Sequence, residues 1–243
     1  MAVIYADTSD GVIFKNSALN FNTARSSATG IPTTGGASSS YFVRADYAAS
    51  RRGGTVHYVA RSFYAFDVSS ITSVTAVTLK IYGSSDNGDG EGIIVLRSTA
   101  FGGNGASALA AADFNNIHGW DGSSAMSGQV TEYSSVYPTS LWNTSGYNGI
   151  TLDQNSIGSV IESNNYLLLA VVDHKYDYLK ASPPSPNHIG AYYSDESVST
   201  KRPHLVITEG AGYGHEVNTV AAASIGKINT VATASIGKII TVD

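Results

Sequence analysis

The stretch "VHYVARSFYAFDV", Val56–Val68, is aromatic and β-branched and is bounded by Gly53-Gly54 and Ser69-Ser70. Those are the marks of a β-strand. Side chains alternate across a strand, so Ser62, Tyr64, Phe66 and Val68 share one face and Arg61, Phe63, Ala65 and Asp67 share the other. Downstream, "VTAVTLKIYG" alternates Val77, Leu79 and Ile81 against Thr78 and Lys80. "SSDNGDGEG" (Ser84–Gly92) reads as a turn, and "GIIVLRS" as the partner that returns from it in a hairpin. "YLLLAVVDH" (Tyr166–His174) is apolar at successive positions, which predicts a central strand covered on both sides. "IGAYYS" and "HLVITE" close this part of the chain.

Helix signals are few. "SALAAADF" (Ser107–Phe114) and "QNSIGSVIES" (Gln154–Ser163) each predict a short helical segment. Many short strands with Gly-rich turns and little helix predict an all-β fold, an antiparallel jelly-roll-like sandwich. The 243 residues suffice for a large core. The domain reading is a sandwich over 1–208, a Gly-rich linker over 209–216 ("EGAGYGHE" marks the joint) and a repeat tail over 217–243.

Composition narrows the chemistry. The chain has no cysteine, which excludes disulfides, thiolate metal sites and thiol catalysis. The formal charge is −5 and 14% of residues are charged, which argues against nucleic acid as a partner. No run approaches the ~18 apolar residues of a membrane-spanning helix. The opening "MAVIYADTSDG" has no basic region followed by an apolar run, so no secretory signal is expected. The wealth of Gly, Tyr, Ser, Thr and Asn nevertheless resembles a surface protein. A fragment, another export route, or carriage on a virus particle would each reconcile the two.

No catalytic set emerges. The six histidines are His57, His118, His174, His188, His204 and His215, and none are spaced as His-Glu-x-x-His. No Gly-x-Ser-x-Gly elbow occurs. Asp86, Asp89 and Glu91 crowd one Gly-rich loop, but Gly88 stands where an EF-hand ligand belongs, so the loop reads as a solvated turn. No cofactor or metal is expected. "NTS" at Asn143 matches a glycosylation sequon and nothing else in the sequence supports its use. Aromatic residues give the best binding signal. Trp120, Trp142, Tyr133, Tyr137 and Tyr147 fall in a polar stretch, Asn115–Gly149, where rings beside amides suit sugar stacking. Trp120, Trp142, Tyr133 and Tyr137 are the candidate glycan-binding residues. The alternative is that the tryptophans plug the end of the sandwich.

Several landmarks of residues 1–208 resemble the DNRLRE-type β-sandwich domain. They are "YADTSDG", "ARSFYAFDVSSI" (Ala60–Ile71) with its Arg-x-x-x-x-Phe-Asp pattern, "AVTLKIYG" (Ala76–Gly83) and "YYSDESVSTKRPHLVIT" (Tyr192–Thr208). Phe101–Asn148 matches poorly. The resemblance implies a jelly-roll-like sandwich of cell-surface, polysaccharide-related or virion proteins, and it carries no catalytic residues. The residues themselves agree with a structural role. Phe66 faces a core, Asp67 is placed to accept turn N–H groups, and Pro203 opens the last strand. Arg61 or Arg202 is placed to pair with a buried carboxylate.

The tail repeats with a period of 11: "VAAASIGKINT" (Val220–Thr230) is followed by "VATASIGKIIT" (Val231–Thr241), which differs at Thr233 and Ile240. A third copy begins at Val242. In a helix, eleven residues make three turns, and Ile225, Ile228, Ala232, Ile236 and Ile239 would form a stripe. Val, Ile and Thr with internal Gly226 and Gly237 favour strands instead. Eleven is odd, so one unbroken strand would swap faces at each repeat, and short strands with turns fit better. Either way the tail needs partners for its apolar residues. Val220, Ile225, Ile228, Val231, Ile236, Ile239 and Val242 are the candidate oligomerisation residues, with a homotrimer as the expected assembly. The tail resembles the "ASIGKINGVA"-like repeats at the ends of phage structural proteins. Together with the surface-like composition, the absent secretory signal and the sandwich body, the tail leads to the expectation of a non-enzymatic bacteriophage virion protein (head decoration, fibre or tail appendage), with capsid or tail proteins as partners and host surface glycans as compatible ones. The alternative is a carbohydrate-binding module of an extracellular or cell-surface protein.

Overall fold

The computed structural model describes residues 1–34, 36–50 and 53–210 and, in the tail, the backbone of Lys227, Ile228, Val231 and Ala232. The body is an all-β sandwich. Its strands are β1 (Ala2–Tyr5), β2 (Gly11–Ser17), β3 (Ile31–Thr34), β4 (Ser38–Ala49), β5 (Thr55–Asp67), β6 (Ala76–Asn87) and β7 (Ile93–Arg97). They continue with β8 (Tyr147–Leu152), β9 (Tyr166–Asp173), β10 (His188–Tyr192) and β11 (His204–Thr208). All the pairings are antiparallel and join these strands into one continuous sheet that folds over on itself.

Two long strands make the fold-over. β5 pairs with β2 through His57–Phe63. Along its other edge it pairs first with β4, through Thr55–Ala60, and then with β9, through Ser62–Asp67. β6 pairs with β11 through Ala76–Lys80 and with β10 beyond Gly83, while β8 fills its opposite edge. One half of the sandwich is therefore β1–β11–β6–β8, and the other centres on β5–β9–β7.

The expected hairpin between the strands around Val77 and Ile93 does not form. β6 runs on to Asn87, and β7 pairs with β9 in the other half. The reason is that both edges of β6 are already taken. β7 is also apolar on both faces: Ile93 and Val95 enter one core, Ile94 and Leu96 another. That suits a place beside β9, which is buried along nearly its whole length as its sequence predicts.

The two faces of β5 likewise enter two cores. Ala60, Tyr64, Phe66 and Val68 join Val77, Leu79, Ile81, Leu205 and Ile207 between the halves of the sandwich. Val59, Phe63 and Ala65 pack on the opposite side, beneath α1 (Phe21–Arg25) and Phe101, Leu109, Phe114, Ile117 and Met126 of the long β7–β8 connection. α2 (Gln154–Ser163) forms where the sequence places it, capped by Asp153, and buries Ile157 and Ile161 against the first core. Ser107–Phe114 yields only a 3-10 turn at Ala111–Asn115.

Phe66 is fully buried, and Asp67 accepts the Ser69 N–H at 3.0 Å in the turn, both as the landmarks predict. In the tail, β12 (Lys227–Ile228) and β13 (Val231–Ala232) pair antiparallel, so the tail is strand where it is described. Ile228 and Val231 are register partners in that ladder. Val220, Ile225, Ile236, Ile239, Val242 and the 209–216 linker beyond Gly210 lie outside the described residues.

Candidate ligand-binding surface

The loop aromatics do not form an open platform. Trp142 is buried. Its indole stacks on Phe42 with centroids 5.7 Å apart at 18°, and its N–H donates to the Gly190 carbonyl at 3.2 Å. Tyr133 is fully buried in the same core. Tyr137 is half-buried and stands edge-on to Trp142 at 6.3 Å. These three close the sandwich rather than offer faces to a sugar, because Gly83 leaves the space the indole fills: a Cβ there would lie 2.8 Å from Trp142 Nε1.

Trp120 is half-buried and belongs to a different structure. The Arg25 and Arg61 guanidinium carbons lie 4.8 and 4.7 Å from its ring centroid. Both arginines are completely buried and share Asp177, which a single π-helical turn (His174–Tyr178) carries inward. Arg61 grips Asp177 with two bonds, Nε to Oδ2 at 2.7 Å and Nη2 to Oδ1 at 2.8 Å. Its remaining donors reach the Phe114 carbonyl (2.7 Å), Asn115 Oδ1 (2.9 Å) and the Arg25 carbonyl (2.9 Å). Arg25 donates to the carbonyls of Asp177 (2.6 Å) and Ser123 (3.1 Å). Arg61 thus has the buried carboxylate the sequence calls for, whereas Arg202 donates to a backbone carbonyl, that of Glu196. Every donor of Arg61 is spent on the protein, so this is a structural lock.

The acidic loop is also self-satisfied. Asp86 accepts from Gly88 N–H at 2.9 Å, Asp89 accepts from Glu91 N–H at 3.1 Å and from the Tyr176 hydroxyl, and Glu91 pairs with Lys175. Among the described residues, no group of three or more His, Asp or Glu is placed to hold a metal ion. A groove of about 450 Å³ runs between Ser135–Tyr137 and Gly149–Asp153. The carboxylate in its lining, Asp153, is committed to capping α2 through Asn155 N–H and Ser156 Oγ.

A different set of rings comes together on the outer face of β1–β11–β6–β8. Tyr5 is the register partner of His204, and His204 of Lys80; Tyr82 is the partner of Tyr147. The ring centroids run Tyr5–His204 at 5.4 Å, His204–Tyr147 at 4.8 Å, Tyr147–Tyr82 at 5.3 Å and Tyr82–Tyr192 at 5.6 Å. The last three contacts are edge-to-face, between 76° and 83°. Tyr5 is 51% exposed and the other four are half-buried. Two hydroxyls are pinned to backbone: Tyr82 to the Ser145 carbonyl at 2.5 Å and Tyr147 to the Arg202 carbonyl at 3.0 Å. Burial among Tyr5 and Tyr82 pushes the Tyr147 phenol up to about 12. Lys201 Nζ lies 4.6 Å over the Tyr192 ring and 5.6 Å over Tyr82. Gly149 has no side chain to obstruct Lys80, whose Nζ would sit 2.8 Å from a Cβ there.

Tyr147 was legible as a surface aromatic, but the row was not, because each ring comes from a separate segment. The available signal was the alternation in "VIY", "KIYG" and "YNGIT", which puts a tyrosine opposite the core-facing residues. No family model matches the chain, and no curated protein matches it.

Proposed function

We propose that this chain is a non-enzymatic structural protein of a bacteriophage particle. The sandwich projects, and the repeat tail joins copies into a homotrimer or anchors them to capsid or tail proteins. The observation that carries this reading is the tail: two near-identical 11-residue copies rich in Val, Ile and Ala with almost no charge. Pairing of Lys227–Ile228 with Val231–Ala232 supports short strands, and a sequence this apolar calls for partners. The lock at Asp177, the spent carboxylates of the acidic loop and the capping role of Asp153 support a non-enzymatic body. A carbohydrate-binding role cannot rest on Trp142 or Tyr133, which are buried.

Sedimentation equilibrium tests the assembly. The full chain is expected to sediment as a trimer, and a chain ending at Gly210 as a folded monomer. A monomeric full-length protein would overturn the reading.

A further inference from the structure

We propose that Asn87-Gly88 is a self-modification site, where the fold converts Asn87 to aspartate and isoaspartate with Asp86 and His188 as the acid–base pair. This is one event per chain rather than turnover. It concerns the body alone and does not rest on the assembly reading.

Three Asn-Gly pairs occur in the sequence, at Asn87, Asn104 and Asn148. In each, the glycine leaves its backbone nitrogen unshielded, and that nitrogen can attack the side-chain amide of the asparagine before it. Their surroundings differ. Asn148 is buried and held on both sides of its amide: Oδ1 accepts from the Asn143 N–H at 2.7 Å, and Nδ2 donates to the carbonyls of Asn143 (3.0 Å) and Ile81 (3.3 Å). Asn104 is exposed, and its side chain accepts from the Ala106 N–H at 3.1 Å. No described carboxylate or imidazole bonds to it.

Asn87 is exposed too, at the last position of β6, but both of its reacting groups have a partner suited to the reaction. The Gly88 N–H donates to Asp86 Oδ1 at 2.9 Å. The Asn87 Nδ2 lies 3.3 Å from Nε2 of His188, its register partner in β10. The other imidazole nitrogen, Nδ1, meets the buried Asp46 carboxylate at 3.2 Å. A carboxylate thus faces the nucleophile, and an imidazole backed by a second carboxylate faces the leaving group.

The chemistry follows from those contacts. The Gly88 nitrogen bonds to Asn87 Cγ and gives its proton to Asp86. The Cγ–Nδ2 bond breaks with its electron pair left on nitrogen, and imidazolium His188 supplies the proton with which ammonia departs. Asp46 steadies that imidazolium. A succinimide ring remains, and water opens it at either carbonyl to give aspartate or isoaspartate. Asp86 and His188 then exchange protons with solvent and are restored. The product adds a negative charge beside Asp86, and isoaspartate lengthens the backbone where β6 meets β10.

Peptide mapping by mass spectrometry tests this on the full chain, held in warm neutral buffer made with heavy-oxygen water. Asn87 is expected to convert first and to take up one heavy oxygen, with Asn148 unchanged. Its rate should exceed that of Asn104 about tenfold, less than a dedicated acid–base pair gives. His188→Gln, Asp86→Ser and Asp46→Asn should each slow Asn87 towards the Asn104 rate. A substitution that merely loosened the turn would quicken the reaction, so slowing separates the chemical role from a structural one. In urea the lead of Asn87 over Asn104 should vanish. Three results would each overturn the proposal: Asn87 no faster than Asn104 in the folded chain, a lead that persists in urea, or an undiminished Asn87 rate in both His188→Gln and Asp86→Ser.

Discussion

Strand β5 separates two cores that are held together in different ways. On one side, Tyr64 and Phe66 meet the facing half of the sandwich, where ladder pairing already satisfies the backbone and the contacts are almost wholly apolar. On the other, Phe63 and Ala65 meet α1 and the β7–β8 connection, which has few strands to pair with. Loop carbonyls buried there still require donors. Arg25 and Arg61 supply them, to Phe114, Ser123, Asp177 and Arg25 itself, and Asp177 balances part of their charge. A covering made of strands closes with side chains alone, whereas a covering made of loops needs buried guanidinium groups to take the place of the ladder.

The sharpest way to break this contrast is Asp177→Ala. It leaves two buried guanidinium groups without their carboxylate, which costs about 3–5 kcal/mol. The loss should be accompanied by a change in Trp120 emission, because that ring faces both arginines. Urea unfolding followed by tryptophan fluorescence measures both. A loss below about 1 kcal/mol would mean that the loops hold themselves.

Two further buried acids, Asp10 and Asp173, lie outside the lock. Burial pushes Asp10 up to about 7, with Ser194 opposing and Asp195 and Asp7 adding to the effect. Burial does the same to Asp173, up to about 7, against the Tyr176 N–H and Asn187 and with Asp177 and Asp89 adding. A carboxyl with a raised folded-state pKa keeps its proton in the fold where the unfolded chain has lost it. Its contribution is complete below about pH 4 and is lost as pH rises through about 7. Each group changes stability by at most about 1.4 kcal/mol per pH unit. Thermal melts from pH 5 to 8 should therefore show falling stability, and Asp10→Asn or Asp173→Asn should each flatten the slope. A parent chain that is equally stable across this range would show that the two groups stay ionised.

How much of this was legible follows from where the information sits. The alternation in Val56–Val68 fixes which residues of β5 share a face, and the apolar run of Tyr166–His174 fixes a strand covered twice. The Asp153 cap and the spacing of Ile157 and Ile161 mark α2. Arg61 in the middle of an apolar strand announces a buried partner, but not that the partner is Asp177, 116 residues away. The β6–β7 hairpin failed because adjacency in sequence says nothing about whether an edge is free. Trp120 and Trp142 sit in one polar loop, yet Trp142 is buried in the first core and Trp120 is half-buried against two arginines, since burial depends on where the loop lies. The aromatic row needed the register of separate strands before its rings became neighbours.

The smallest predicted effect is also the most discriminating within the first core. Tyr64 and Tyr193 are both buried there, with ring centroids 6.0 Å apart. The Tyr193 hydroxyl meets Ser62 Oγ at 2.7 Å, whereas the Tyr64 hydroxyl has no partner among the described residues. The same chemical change should therefore have opposite signs. Tyr193→Phe removes a satisfied bond and should cost about 1 kcal/mol, while Tyr64→Phe removes an unpaired buried group and should be neutral or stabilise by up to about 1 kcal/mol. Denaturation midpoints of the two variants, measured beside the parent chain, decide it. Equal losses would mean that the Tyr64 hydroxyl is satisfied in solution and that this core is less purely apolar than its packing implies.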